Sequence, residues 1–181
     1  KMILKSFIVE KNISFFEKYA ISLIYGENIG LKDEIKNQIK EYFKEYEQII
    51  FNHSEIIKNE NLLNEQLNNT SLFSKKKIIF ISEISEKIKN NVIEILEKPN
   101  PDIKIFLFGQ NLEKKSLIRT VLEKEKNASV VPCYQDNERT LTEYLRKKLQ
   151  NYSGLNQEII NFIINNSGLD RKTLSNEIDK I

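Results

Sequence analysis

Ile21-Ser22-Leu23-Ile24-Tyr25-Gly26-Glu27-Asn28-Ile29-Gly30-Leu31-Lys32-Asp33 reads as a buried strand, a glycine turn and the opening of a helix. Nucleotide-binding α/β proteins place a phosphate loop at such a junction. That loop has four residues between its glycines and then Gly-Lys-Ser/Thr, so that backbone N–H groups, an ammonium and a hydroxyl meet phosphates and Mg²⁺. Here three residues separate Gly26 from Gly30, Leu31 intervenes before Lys32, and Asp33 stands where the hydroxyl belongs. Glu27, Asp33 and Glu34 surround the helix start with negative charge, which suits the helix dipole but repels a triphosphate. Gly26, Gly30 and Lys32 therefore read as a degenerate nucleotide loop that is not expected to bind nucleotide. The function is expected to lie in contacts with partners.

Outward from this stretch, apolar runs alternate with amphipathic ones. Ile21–Tyr25, Gln48–Asn52, Lys77–Ile81, Ile103–Phe108 and Ser129–Cys133 are continuous enough for strands buried on both faces. Helical patterns lie between and after them, at Gly30–Tyr46, Ser54–Asn68, Ser85–Lys98, Lys114–Lys126 and Asn137–Tyr152. Such alternation implies right-handed βαβ crossovers: an α/β core with a mostly parallel five-stranded sheet flanked by helices. Pro99-Asn100-Pro101-Asp102 ends one helix and leads into the next strand. Lys5–Glu10 is compatible with an edge strand and Ser14–Tyr19 with a short helix. After Tyr152 only helical patterns follow, Asn156–Asn166 and Asp170–Ile181, with Gly168 as a helix-ending C′ residue. The expected organisation is a core over 1–152 without a functional phosphate loop and the start of a small helical lid over 153–181.

Composition narrows the function classes. The 181 residues, 40% of them hydrophobic, suffice for a core. With 28 basic and 26 acidic residues, the net charge of +2 does not predict strong non-specific binding to nucleic acid. One cysteine, Cys133, and one histidine, His53, exclude an internal disulfide and a Cys- or His-rich metal site. No apolar run approaches the roughly 20 residues that span a bilayer, and the first residues lack the pattern of a secretory signal. The expectation is a cytoplasmic protein with no metal, no cofactor and no membrane contact. Lys1 ahead of the only methionine, and an uncapped helical spacing over Leu174–Ile181, lead us to expect trimmed ends.

Other catalytic positions fail as well. Where an ATPase of this layout would carry an Asp for Mg²⁺ and a Glu for water, the strand Ile78–Ile81 is followed by Ser82-Glu83. Arg171, at the start of the last helix, is read as serving the contact between lid and core, or solvent. Cys133 and His53 are not joined by any sequence feature, and a buried thiol and a strand-end imidazole are the favoured readings over a nucleophilic pair. No catalytic activity is expected.

The connector Thr70-Ser71-Leu72-Phe73-Ser74-Lys75-Lys76-Lys77 is unusual. Connectors are normally polar, yet this one carries adjacent Leu72 and Phe73. Two readings fit: both side chains fold into their own core, or they form an exposed wedge with a lysine rim that enters a partner's pocket.

Four passages together resemble the delta subunit of the bacterial DNA polymerase III clamp loader, an AAA+-like family. They are Leu23-Ile24-Tyr25-Gly26-Glu27, Ser71-Leu72-Phe73 with its basic residues, Leu96–Asp102 leading into Ile105–Phe108, and Gly168-Leu169-Asp170-Arg171 with Leu174, Asn176, Glu177 and Ile178 behind it. The resemblance implies an accessory subunit that binds and opens the sliding clamp (the beta subunit) and leaves ATP hydrolysis to its neighbours. It implies Leu72 and Phe73 as the clamp-binding wedge, flanked by Thr70 and Ser71, and a collar domain beyond this stretch. It also implies gamma/tau and delta' subunits as partners, with primer–template DNA inside the assembled loader; Lys87 and Lys89 fit either a contact with its phosphates or a solvated helix face, the reading that the net charge favours. Two alternatives stand beside it: another AAA+-derived interaction module in DNA repair or transcription, and a P-loop-related enzyme with an altered nucleotide site. The delta' and gamma-type relatives carry a Ser-Arg-Cys element and zinc-binding cysteines, which this chain lacks.

Overall fold

The computed structural model describes residues 3–59, 61–68 and 76–180. Five parallel strands form one sheet: β1 (Ile21–Tyr25), β2 (Glu47–Asn52), β3 (Lys77–Ser82), β4 (Ile103–Gly109) and β5 (Ala128–Pro132), in the spatial order β2-β3-β4-β1-β5. Each expected strand is present, and the sheet is parallel throughout. β1 and β5 are buried along their whole length, as their unbroken apolar runs require. β2 lies at the edge and is largely exposed.

Helices cover both faces. Alternate strand residues Leu23, Ile79, Ile81, Ile105 and Val130 pack beneath four helices, α3 (His53–Lys58), α4 (Asn61–Asn68), α5 (Lys89–Glu97) and α6 (Leu117–Lys124). Their opposite-facing neighbours Ile24, Ile78, Phe80, Phe106 and Val131 meet α1 (Ser6–Lys11), a 3₁₀ turn over Ile13–Lys18 and α2 (Ile29–Tyr42). Phe16 closes that face edge-on against Phe106, with ring centroids 5.3 Å apart, a geometry worth about 0.5–1.5 kcal/mol beyond the area buried. A third cluster gathers α7 (Glu138–Lys148), α8 (Gln157–Asn166) and α9 (Arg171–Ile178) around Leu141, Leu145, Ile160, Ile164 and Leu174. Thus α7, which precedes the expected boundary at Tyr152, shares its apolar face with the helices that follow.

Two local differences have clear causes. The expected helix over Ser54–Asn68 is two helices. Asn52 and Glu55 form a capping box that starts α3 directly after β2, while the extended Asn59 interrupts the chain and its side chain accepts from Asn61 N–H at 3.2 Å. Where the sequence of Lys5–Glu10 is compatible with an edge strand, the chain is helical over Ser6–Lys11, with Lys5 as the extended N-cap. Ile3 bridges Val130, and Leu4 N–H donates to the Val130 carbonyl, before the chain turns so that Val9 enters the core. The glycine at the end of α8 behaves as expected: Gly168 is left-handed (φ 61°) just beyond the helix.

Candidate functional site

All five strands run the same way, so their amino ends share one edge of the sheet and their carboxyl ends the other. Lys77, where β3 begins, lies at the first edge. Thr70, Ser71, Leu72 and Phe73 lie outside the described residues. The residues on either side are firmly held. Lys77 is buried, its N–H donates to the Asp102 carbonyl at 2.8 Å, and its ammonium reaches Gln66 Oε1 at 3.5 Å. The Lys76 carbonyl accepts from Glu47 N–H at 2.8 Å, and the Asn100 side chain donates to the Leu67 carbonyl at 3.5 Å. The proline-flanked turn that ends the helix before β4 therefore also braces the end of α4.

The degenerate loop occupies the opposite edge. Gly26 has φ 135°, and a Cβ there would lie 2.2 Å from the Cys133 carbonyl oxygen, so only glycine lets this turn lie against the extension of β5. Asn28 N–H donates to that same carbonyl at 3.1 Å. The Asn28 side chain then caps α2, accepting from Leu31 N–H at 3.0 Å while its Nδ2 donates to the Tyr134 carbonyl and, at 2.6 Å, to Asp136. Gly30 faces the backbone of α9, where an added Cβ would stand 2.6 Å from Lys172 N. Lys32 donates to the Gly109 carbonyl at 2.9 Å, and burial holds its ammonium below the usual lysine range. The structure thus brings Gly26, Gly30 and Lys32 together, each engaged with protein groups.

Beside them a cleft of about 560 Å³ opens at the strand ends, lined among others by Lys32, Lys36, Ser82, Glu83 and Asn111. Lys36 lies over the Phe80 and Phe108 rings, 5.7 and 5.4 Å from their centroids, with its ammonium 3.4 Å from Ser82 Oγ. Glu27, Asp33 and Glu83 bring three carboxylates to the same walls, which opposes a polyanion there. Glu83 is exposed, with φ 56°, and its carboxylate accepts from the Asn52 side chain at 2.7 Å.

Arg171 is the charged group that sequence reasoning placed but did not resolve. It is 5% exposed. Its guanidinium grips Asp136 through two bonds, at 2.7 and 2.8 Å, and reaches Glu10 and Glu34, with the Tyr144 ring 4.8 Å from its central carbon. Asp136 is held below the usual carboxylate range. Burial alone would raise it, but the Arg171 hydrogen bonds and charge outweigh that, helped by Thr140 and Asn28. Outside this group Lys172 pairs with Asp33 at 3.1 Å. Glu10, Glu34 and Asp136 carry no local pattern that would have singled them out.

His53 and Cys133 lie apart. His53 opens α3, and its Nδ1 accepts from Ser85 N–H at 3.1 Å. Cys133 is buried just past β5, and its thiol is pushed up to about 12 by burial. Lys87 is exposed on the turn before α5, and Lys89 is half-buried at its start.

A sequence model of the family described as DNA polymerase III, delta subunit, matches residues 23–134, a stretch containing both the connector and the degenerate loop. The probable DNA polymerase III subunit delta of Rickettsia prowazekii is 23% identical over 116 residues, which is 64% of this chain and 36% of that protein. The Bacillus subtilis DNA clamp loader delta protein superposes with a TM-score of 0.67 at 14% identity, over 97% of this chain and 56% of its own. RuvB of Thermotoga maritima gives 0.62 at 12% identity, over 95% and 60%. At such identities the structural likeness is one of fold, and that fold is AAA+-like. The chain spans little more than half of the first of these structures and about a third of the curated relative.

Proposed function

The chain belongs to the DNA polymerase III delta-subunit family, and from that premise we propose that it binds a ring-shaped sliding clamp and opens it for loading, without hydrolysing ATP itself. The observation that carries this reading is the family match over residues 23–134. In it Leu72 and Phe73 enter an apolar pocket on the clamp, Thr70 and Ser71 flank them, and the lysines that follow form a polar rim. Burying one Leu and one Phe contributes about 1.5–3 kcal/mol each. Such anchors open a ring interface when they bind its sprung form better than its closed form.

Independence from ATP hydrolysis is supported by the loop at Gly26. Lys32 is occupied with the Gly109 carbonyl, and Gly30 is occupied with the backbone of α9. Gamma/tau and delta' subunits would then supply the ATP-driven steps, and Lys87 and Lys89 would approach primer–template DNA in the assembled loader.

Isothermal titration of the cognate clamp with the wild-type chain and with Leu72→Ala/Phe73→Ala tests the reading. The double variant is expected to bind about two orders of magnitude more weakly or worse, with unchanged circular dichroism. Equal affinity in a folded double variant would remove these residues from the interface.

A further inference from the structure

The densest buried charge among the described residues joins parts of the chain that are far apart in sequence. Glu10 comes from α1, Glu34 from α2, Asp136 from the segment after β5, Tyr144 from α7, and Arg171 from the first residue of α9. Every guanidinium nitrogen of Arg171 donates to a carboxylate. The side chains are enclosed, with Arg171 and Asp136 at 5% and 4% exposure. Next to them the α9 backbone reaches Gly30 so closely that no Cβ fits between. Asn28 ties Asp136 to the start of α2. We propose that this cluster is a built-in latch that fixes the helical end, α7 to α9, against the sheet, so that the lid keeps one position with no ligand bound.

The charges are arranged to make the latch stable against small losses. Glu10, Glu34 and Asp136 bring three carboxylates, while Arg171 and the Lys148 that pairs with Glu34 bring two cations. Losing one carboxylate leaves Arg171 with partners. Losing Arg171 leaves three carboxylates facing one another in a poorly hydrated site. The same geometry gives the N-terminal residues a task, since α1 braces the lid through Glu10.

Hydrogen exchange on the full chain tests the latch, with no clamp present, so its outcome is separate from the clamp-binding reading. In Arg171→Leu, protection of the α8 and α9 amides is expected to fall by about a hundredfold, while amides of β1 and β4 keep wild-type rates. Should Arg171→Leu give no folded protein, Glu10→Gln, which leaves both Asp136 bonds in place, is expected to show the same pattern at about fivefold. Saturating Mg·ATP is expected to leave α9 exchange in the wild type unchanged. Unchanged α9 protection in a folded variant, loss spread equally over β1 and β4, or added α9 protection from Mg·ATP would each overturn the latch.

Discussion

Gly30→Ala separates two opposed physical expectations. Within a helix, replacing glycine by alanine ordinarily stabilises by about 0.5–1 kcal/mol, because the unfolded chain loses freedom. At Gly30 the new Cβ would stand 2.6 Å from Lys172 N and 3.0 Å from the Arg171 carbonyl carbon. Both are backbone atoms, so no rotamer change relieves the contact, and α9 must back away from α2. Overpacking of this kind costs about 1–3 kcal/mol, and rigid neighbours place it in the upper half of that range. Subtracting the propensity gain leaves a net loss of about 1–2 kcal/mol. For a chain of this size that lowers Tm by about 2–8 °C. Scanning calorimetry of Gly30→Ala beside the wild type reads this directly. A raised Tm would refute the close approach of α9, because propensity would then have acted unopposed.

Three other outcomes are expected, the first resting on the proposed function. The clamp titration with Leu72→Ala/Phe73→Ala is expected to lose about two orders of magnitude in affinity. Burial holds His53 below its ordinary value against the pull of the Glu83 carbonyl, with Lys87 acting in the same direction as burial. A histidine with a depressed folded pKa gives stability that is complete above the unfolded value of about 6.5 and declines as pH falls through it. Urea unfolding at pH 7.5 and 5.5 should therefore show a loss that His53→Gln lacks, and equal pH slopes in the two proteins would contradict it. Cys133, buried and raised to about 12, should resist a disulfide reagent in the folded protein and react fully in denaturant. Rapid labelling of the native chain would show an open path to it.

Strands were legible because a doubly covered parallel strand cannot hide its composition: Ile78–Ile81 and Ile105–Phe108 had to be apolar on both faces. Helix limits were less so. The break at Asn59 rests on one side chain that also accepts from the next helix, a choice an apolar periodicity cannot register. The Arg171 cluster was hardest to foresee. Its partners stand 35, 137 and 161 residues away, and a charged residue bound for a buried pair looks the same in sequence as one bound for solvent. The loop at Gly26 was read from what it lacked. The structure adds what its residues do instead: Asn28 caps α2, and Gly30 admits α9.

The two ends of the sheet bear on how the wedge would be controlled. β3 begins at Lys77 and ends at Ser82 in the cleft next to the degenerate loop, five residues on, a span of about 17 Å. Its residues Ile78 to Ile81 are fully buried, between β2 and β4 and under helices on both faces. A close-packed strand of that kind does not slide by fractions of a residue, because a register slip turns its side chains to the wrong face. β3 therefore offers no sliding route from the Gly26 end of the sheet to Lys77, and on the proposed reading control of a wedge at Leu72 and Phe73 would come from neighbouring subunits. We predict that clamp affinity of the isolated chain is the same with and without Mg·ATP, measured by titration at saturating nucleotide. A shift beyond about threefold, or roughly 0.6 kcal/mol, would mean that the two ends communicate through the sheet after all, and the rigid-strand argument would fall.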